Sequence, residues 1–131
     1  MTQIEVVRAY FAAKRLNAQP FPGQTAMKIF MLVKKLQPTV DFQIQEENKI
    51  LAKYPSFDPI QNGCKTDDLS KEGIAKATEI VKAVNDELNA LGKIEVTDLK
   101  IEPFTISESE LEAIKISGED IGDLSPFITF E

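Results

Sequence analysis

Residues 25–54 read TAMKIFMLVKKLQPTVDFQIQEENKILAKY, and how this stretch folds decides the architecture of the chain. Phe30, Val33, Val40, Ile44, Leu51 and Tyr54 recur at gaps of three, seven, four, seven and three. That is the stripe of a long amphipathic helix, with Gln37 and Glu47 filling two of its positions. Met27, Met31, Leu36 and Phe42 widen its apolar surface. Thr25 is a candidate N-cap, because a threonine oxygen can accept one of the unpaired N–H groups of a first turn. Pro38 lies within the pattern, lacks an N–H, and its ring meets the carbonyl four residues back. The sequence therefore predicts a kink or a division around 34–37, and Pro55 as the end of the element.

Working outward towards the C-terminus, residues 55–66 hold two prolines and the Asn62-Gly63 pair, the composition of a connection with a tight turn. A second helix is expected from about Ser70 to Leu91. Ile74, Ala77, Val81, Val84, Leu88 and Leu91 form a seam at 3-4-3-4-3 spacing, and Gly92 is placed for a left-handed C-cap. Two striped helices joined by a short loop each need a partner, and the economical solution is that they pack on each other. Each buried seam leucine is worth roughly 1.5–3 kcal/mol.

Towards the N-terminus, Ile4, Val7, Phe11 and Leu16, with Val6 and Tyr10 beside them, suit a helix from about Gln3 to Asn17, stopped by Pro20-Phe21-Pro22-Gly23. The β-branched opening Ile4-Glu5-Val6-Val7 also fits a short strand. Beyond residue 92 the period changes. Ile94, Val96, Leu99, Ile101, Phe104 and Ile106 suit strands over 93–96 and 98–106, with Pro103 confining the second to an edge or a break. An internal echo follows, in which Ile106-Ser107 and Ile116-Ser117 each precede an acid three positions after the serine, Glu110 and Asp120. This is capping-box spacing and predicts two strand-into-short-helix units. The apolar ending, through Phe127 and Phe130, is expected to be packed on something rather than loose.

The fold class is thus α+β, mainly α: an antiparallel long-helix hairpin with a small C-terminal segment of strands and short helices. A length of 131 residues suits one domain, helical over 1–92 and mixed over 93–131.

Composition narrows the chemistry. Histidine and tryptophan are absent and Cys64 is the single cysteine, which removes imidazole catalysis, intrachain disulfides and multi-cysteine zinc sites. Cys64 reads as a bystander thiol. The acid pairs Glu46/Glu47, Asp67/Asp68 and Glu119/Asp120 read as solvated or capping groups, and no phosphate-binding glycine loop or nucleophile elbow occurs. No cofactor, metal or small-molecule substrate is expected, and the chain reads as a non-enzyme. Met27 and Met31 read as core filler, with interface plasticity as the other reading.

The net charge is −6, unevenly spread, with +4 over 1–55 and −10 over 56–131. Either the halves attract each other within the fold, or copies meet head to tail. Net acidity disfavours nucleic acid. No run approaches the roughly 18 apolar residues of a membrane span, and Glu5 and Arg8 interrupt any secretory core, so a cytoplasmic location is expected.

Three segments carry a resemblance. They are Met27-Lys28-Ile29-Phe30-Met31-Leu32-Val33-Lys34-Lys35-Leu36 running on to Glu46-Glu47-Asn48-Lys49-Ile50-Leu51-Ala52-Lys53-Tyr54; Val84-Asn85-Asp86-Glu87-Leu88-Asn89-Ala90-Leu91 leading into Ile94-Glu95-Val96; and Ile116-Ser117 leading through Asp123-Leu124-Ser125-Pro126-Phe127-Ile128. In these the chain resembles an uncharacterised family of small proteins encoded in tailed phages and prophages. The resemblance implies a setting in a bacterial host, among virion assembly or accessory genes, and no functional residue. The expectation is an accessory or assembly protein that binds a protein partner or itself. Phe30, Val33, Tyr54, Phe127 and Phe130 are the candidate anchors, since aromatic side chains carry much interface energy. The alternative is an acidic binder of a host protein.

Overall fold

Thr2 begins the first helix of the computed structural model, which describes residues 1–59, 63–64, 70–97, 99–112 and 114–130. Its backbone is extended and its hydroxyl oxygen accepts the Glu5 N–H at 3.4 Å, so α1 (Gln3–Asn17) starts where a side-chain cap makes it cheap to start. The predicted span holds and the short-strand reading of its opening does not. The predicted face is corrected: Val6, Ala9, Tyr10, Ala12, Ala13 and Leu16 are buried, while Ile4 and Phe11 are exposed. Three alanines supply much of the inward surface, and a stripe read from large side chains alone passes over them.

The chain is mainly helical with a small β component, and it divides into two compact units. The first comprises Met1–Asp41 and Glu95–Glu131; the second is Phe42–Ile94.

Helix α2 (Gly23–Ala52) contributes to both. It begins two residues before Thr25, with the Ala26 N–H bonded to the Pro22 carbonyl at 2.8 Å. Thr25 is therefore no N-cap. It is buried in the first turn and its hydroxyl donates to Glu110 Oε2 at 3.1 Å. Pro38 does not divide the helix. Its ring faces solvent while Val33, Leu36 and Val40 on either side are held in the core, and that anchorage outlasts one missing hydrogen bond. The buried stripe in the first unit is Thr25, Ile29, Leu32, Val33, Leu36 and Val40, rotated from the expected one; Phe30 is 42% exposed.

The first unit closes with β3 (Phe104–Ile106), α4 (Glu108–Leu111), α5 (Gly118–Leu124) and β4 (Ile128–Phe130). The two strands pair in parallel, Phe104 opposite Ile128 and Ile106 opposite Phe130, and the short helices form the crossover that parallel pairing demands. Ile106, Leu124, Phe127 and Ile128 join the buried residues of α1 and α2 in one core. The expected strand over 93–96 is reduced to a single bridge between Thr2 and Glu95, supported by the Val96 N–H on the Met1 carbonyl at 2.8 Å. The second strand shrinks to Phe104–Ile106, starting directly after Pro103, which cannot donate to a ladder. Residues 114–117, directly before α5, form no strand.

In the second unit, β1 (Phe57–Asp58) and β2 (Gly63–Cys64) pair antiparallel, with Phe57 opposite Cys64. Helix α3 (Lys71–Gly92) is capped by Ser70, whose oxygen accepts the Gly73 N–H at 3.2 Å. Gly92 is a buried helical residue and no left-handed cap; the end is made at Lys93, in right-handed geometry, whose N–H bonds back to the last turn. Val84 and Leu91 of the seam are buried, but Ile74 is 53% exposed. Asn62, Asp67 and Asp68 lie outside the described residues, as does Asp98 at the start of the second expected strand.

Candidate functional site

The face of α2 opposite its buried stripe gathers three large exposed apolar side chains: Met27 at 60%, Met31 at 46% and Phe30 at 42%. Positions 27, 30, 31 and 34 share one side of a helix, so their clustering follows from the 3.6 period. Three exposed lysines, Lys28, Lys34 and Lys35, stand among them. Lys34 Nζ lies 5.4 Å from the centre of the Phe30 ring, and Lys28 Nζ lies 6.0 Å from that of Phe104. Both are within cation–π range. None of the three lysines makes an ion pair among the described residues.

Beside this face runs an open groove of about 380 Å³. One wall is Met27, Lys28, Met31, Leu32 and Lys35; the other is residues 101–104, which lead into β3. Glu102 is its one carboxylate. The groove is thus apolar at its base and lysine-edged. Unbranched, polarizable methionines adapt to differently shaped partners, so such a lining suits a protein contact.

The anchors expected from sequence do not all belong to this face. Phe30 belongs to this face. Val33 and Phe127 are buried in the core of the first unit, and Phe130 is half-buried against it in β4. Tyr54 is half-buried in the second unit. Met27 and Met31, read mainly as core filler, are the residues that reach water. The signal for this was present: a helix buries one stripe, and once Ile29, Leu32 and Leu36 take the inside, Met27 and Met31 cannot.

Two charged clusters complete the description. In the first unit, Arg15 grips Asp120 through two hydrogen bonds, Nη2 to Oδ1 at 2.5 Å and Nε to Oδ2 at 3.1 Å. The guanidinium bond holds the Asp120 carboxyl below the usual carboxylate range and raises Arg15 in turn. In the second unit, Lys53 Nζ donates to Glu87 Oε1 at 2.8 Å; this bond lowers Glu87 and raises Lys53, while Glu87 raises the phenol of Tyr54. Every one of these shifts moves its group further from neutrality, opposite to what acid–base catalysis at neutral pH asks for. Cys64 is half-buried and its Sγ donates to the Ala77 carbonyl at 3.2 Å. Among the described residues no three His, Cys, Asp or Glu side chains are placed to hold a metal ion, and no helix is long and apolar enough to cross a membrane.

Among known proteins, no family model, no curated protein and no solved structure matches this chain.

Proposed function

We propose that the chain is a binding protein that works by protein–protein contact through the methionine- and lysine-lined face of α2, without catalysis, as an accessory or assembly component in the phage or prophage setting that its sequence resembles. Its place of work on this reading is the cytoplasm of a bacterial host. The observation that carries the reading is the cluster of Met27, Phe30 and Met31 beside an open groove edged by Lys28 and Lys35. Large apolar side chains gathered in water beside a concave surface mark interaction sites. The rim charges would steer and orient a partner more than hold it.

A photoreactive benzoylphenylalanine in place of Phe30 tests this, with one at exposed Arg8 as control. Irradiation of the purified protein, and of lysate from phage-producing cells, should give a discrete adduct from position 30 and none from position 8. Position 30 yielding no adduct in either would overturn the reading.

The same proposal takes the C-terminal half of α2 and α3 as an antiparallel hairpin, for which the Lys53–Glu87 bond is the support. In that arrangement, spin labels in a Cys64→Ser background should lie closer for the pair 49 and 89 than for the pair 49 and 82. The reverse order of distances would sink it.

A further inference from the structure

We propose that the occupant of the α2 groove is a second copy of this chain, which enters it with the acidic stretch 107–123, so that two copies pair reciprocally. The inference rests on the protein-contact reading of the groove and names its partner.

The six acids of this stretch fall into two sets. Glu110 and Asp120 are used by the fold itself, one accepting from Thr25 and the other from Arg15, and half-buried Asp123 acts electrostatically on Arg15. Glu108, Glu112 and Glu119 are exposed and make no ion pair among the described residues. Ile121, two positions on from Glu119, is also exposed on α5. The stretch therefore offers what the groove lacks, exposed carboxylates together with an exposed apolar side chain, for an apolar base among free lysines. Lys115 is its one lysine.

Charge decides how copies would meet. Setting the α2 face against itself brings Lys28, Lys34 and Lys35 opposite their own copies, which is repulsive in any register. Setting it against 107–123 pairs opposite signs throughout, except at Glu102 and Lys115. The Thr25–Glu110 hydrogen bond, 3.1 Å long, ties α4 to the first turn of α2. The basic face and the acidic stretch both belong to the first unit, and a single two-fold contact uses each of them twice.

Sedimentation velocity of the full chain provides the test, with charge reversals on exposed side chains whose folding is verified by circular dichroism. The wild type should form dimers that dissociate as salt rises. Lys28→Glu with Lys35→Glu should weaken pairing about tenfold or more, and so should Glu112→Lys with Glu119→Lys. Mixing the two variants should restore dimers, as should joining all four substitutions in one chain. A monomer at every concentration, growth beyond two copies, or variants whose mixture stays monomeric would each overturn the pairing. If the position-30 adduct contains a different protein while the chain stays monomeric, self-pairing falls and the protein-contact reading stands. If position 30 gives no adduct at all, both fall.

Discussion

Arg15 and Asp120, 105 residues apart, are joined by two guanidinium–carboxylate hydrogen bonds that tie α5 to the last turn of α1. The Asp120 side chain is largely buried and the Arg15 side chain is more than half exposed. Asp120→Asn removes the charge while keeping the shape. A hydrogen bond to a charged group is worth about 1.5–3 kcal/mol, and exposure of Arg15 reduces that, so urea unfolding should show a loss of about 1–2 kcal/mol at neutral pH.

The same pair sets a dependence on acid. The Asp120 carboxyl is held below its ordinary value, so its contribution is fully present above the unfolded value of about 3.9 and is lost as pH falls through the lower folded one. Wild type should therefore lose more stability than Asp120→Asn as the pH is taken below 4. Equal losses in the two proteins would show that the pair contributes nothing to acid sensitivity.

Ser117 and Ser107 stand at equivalent places in the internal echo but differ in what they do. Ser117 Oγ accepts the Asp120 N–H at 3.1 Å, a true cap, whereas Ser107 Oγ lies 3.0 Å from the Ser109 hydroxyl and caps nothing. Ser117→Ala should cost about 1 kcal/mol, and Ser107→Ala only a few tenths, on the usual scale for N-caps. Thermal melts of the two variants side by side give the answer.

That contrast marks how far the sequence could be read. The serine-plus-acid echo located both short helices, because capping is a local matter decided within four residues. It missed the acids' main partners. Glu110 bonds Thr25, and Asp120 is held chiefly by Arg15 with a lesser hydrogen bond to its own Ser117; Thr25 and Arg15 belong to helices whose placement no local pattern encodes. The strands suffered in the same way. Ile128, Thr129 and Phe130 are suited to a strand anywhere, but a three-residue strand exists only where a partner lies beside it, and the partner is 24 residues upstream. The methionine face was legible only by subtraction, after the true inward stripe of α2 had been found.

Ile29 and Phe30 are adjacent on α2, about 100° apart around its axis, and are fully buried and 42% exposed respectively. Ile29→Ala removes packed atoms from the core of the first unit and should cost about 2–4 kcal/mol. Phe30→Ala, on the exposed face, should change stability by less than about 0.5 kcal/mol and abolish the contact assigned to that face. Chemical denaturation separates the two directly. A large loss for Phe30→Ala would mean that the exposed face is part of the core after all.

Pro38 occupies an exposed position in the middle of α2 and leaves the Lys34 carbonyl without its helical donor. Proline in a helix interior is about 3 kcal/mol worse than alanine in model helices, and part of that is already relaxed in a helix that runs on through it. Pro38→Ala restores the N–H, removes no buried contact, and should stabilise the protein by about 1–2 kcal/mol, seen as a higher unfolding midpoint with an unchanged denaturant slope. A destabilised variant would mean that the helix depends on the bend a proline imposes, for instance to keep Val33 and Val40 on the same core at once. Comparing the helical circular dichroism of the two proteins distinguishes a helix that gains a hydrogen bond from one that loses its alignment.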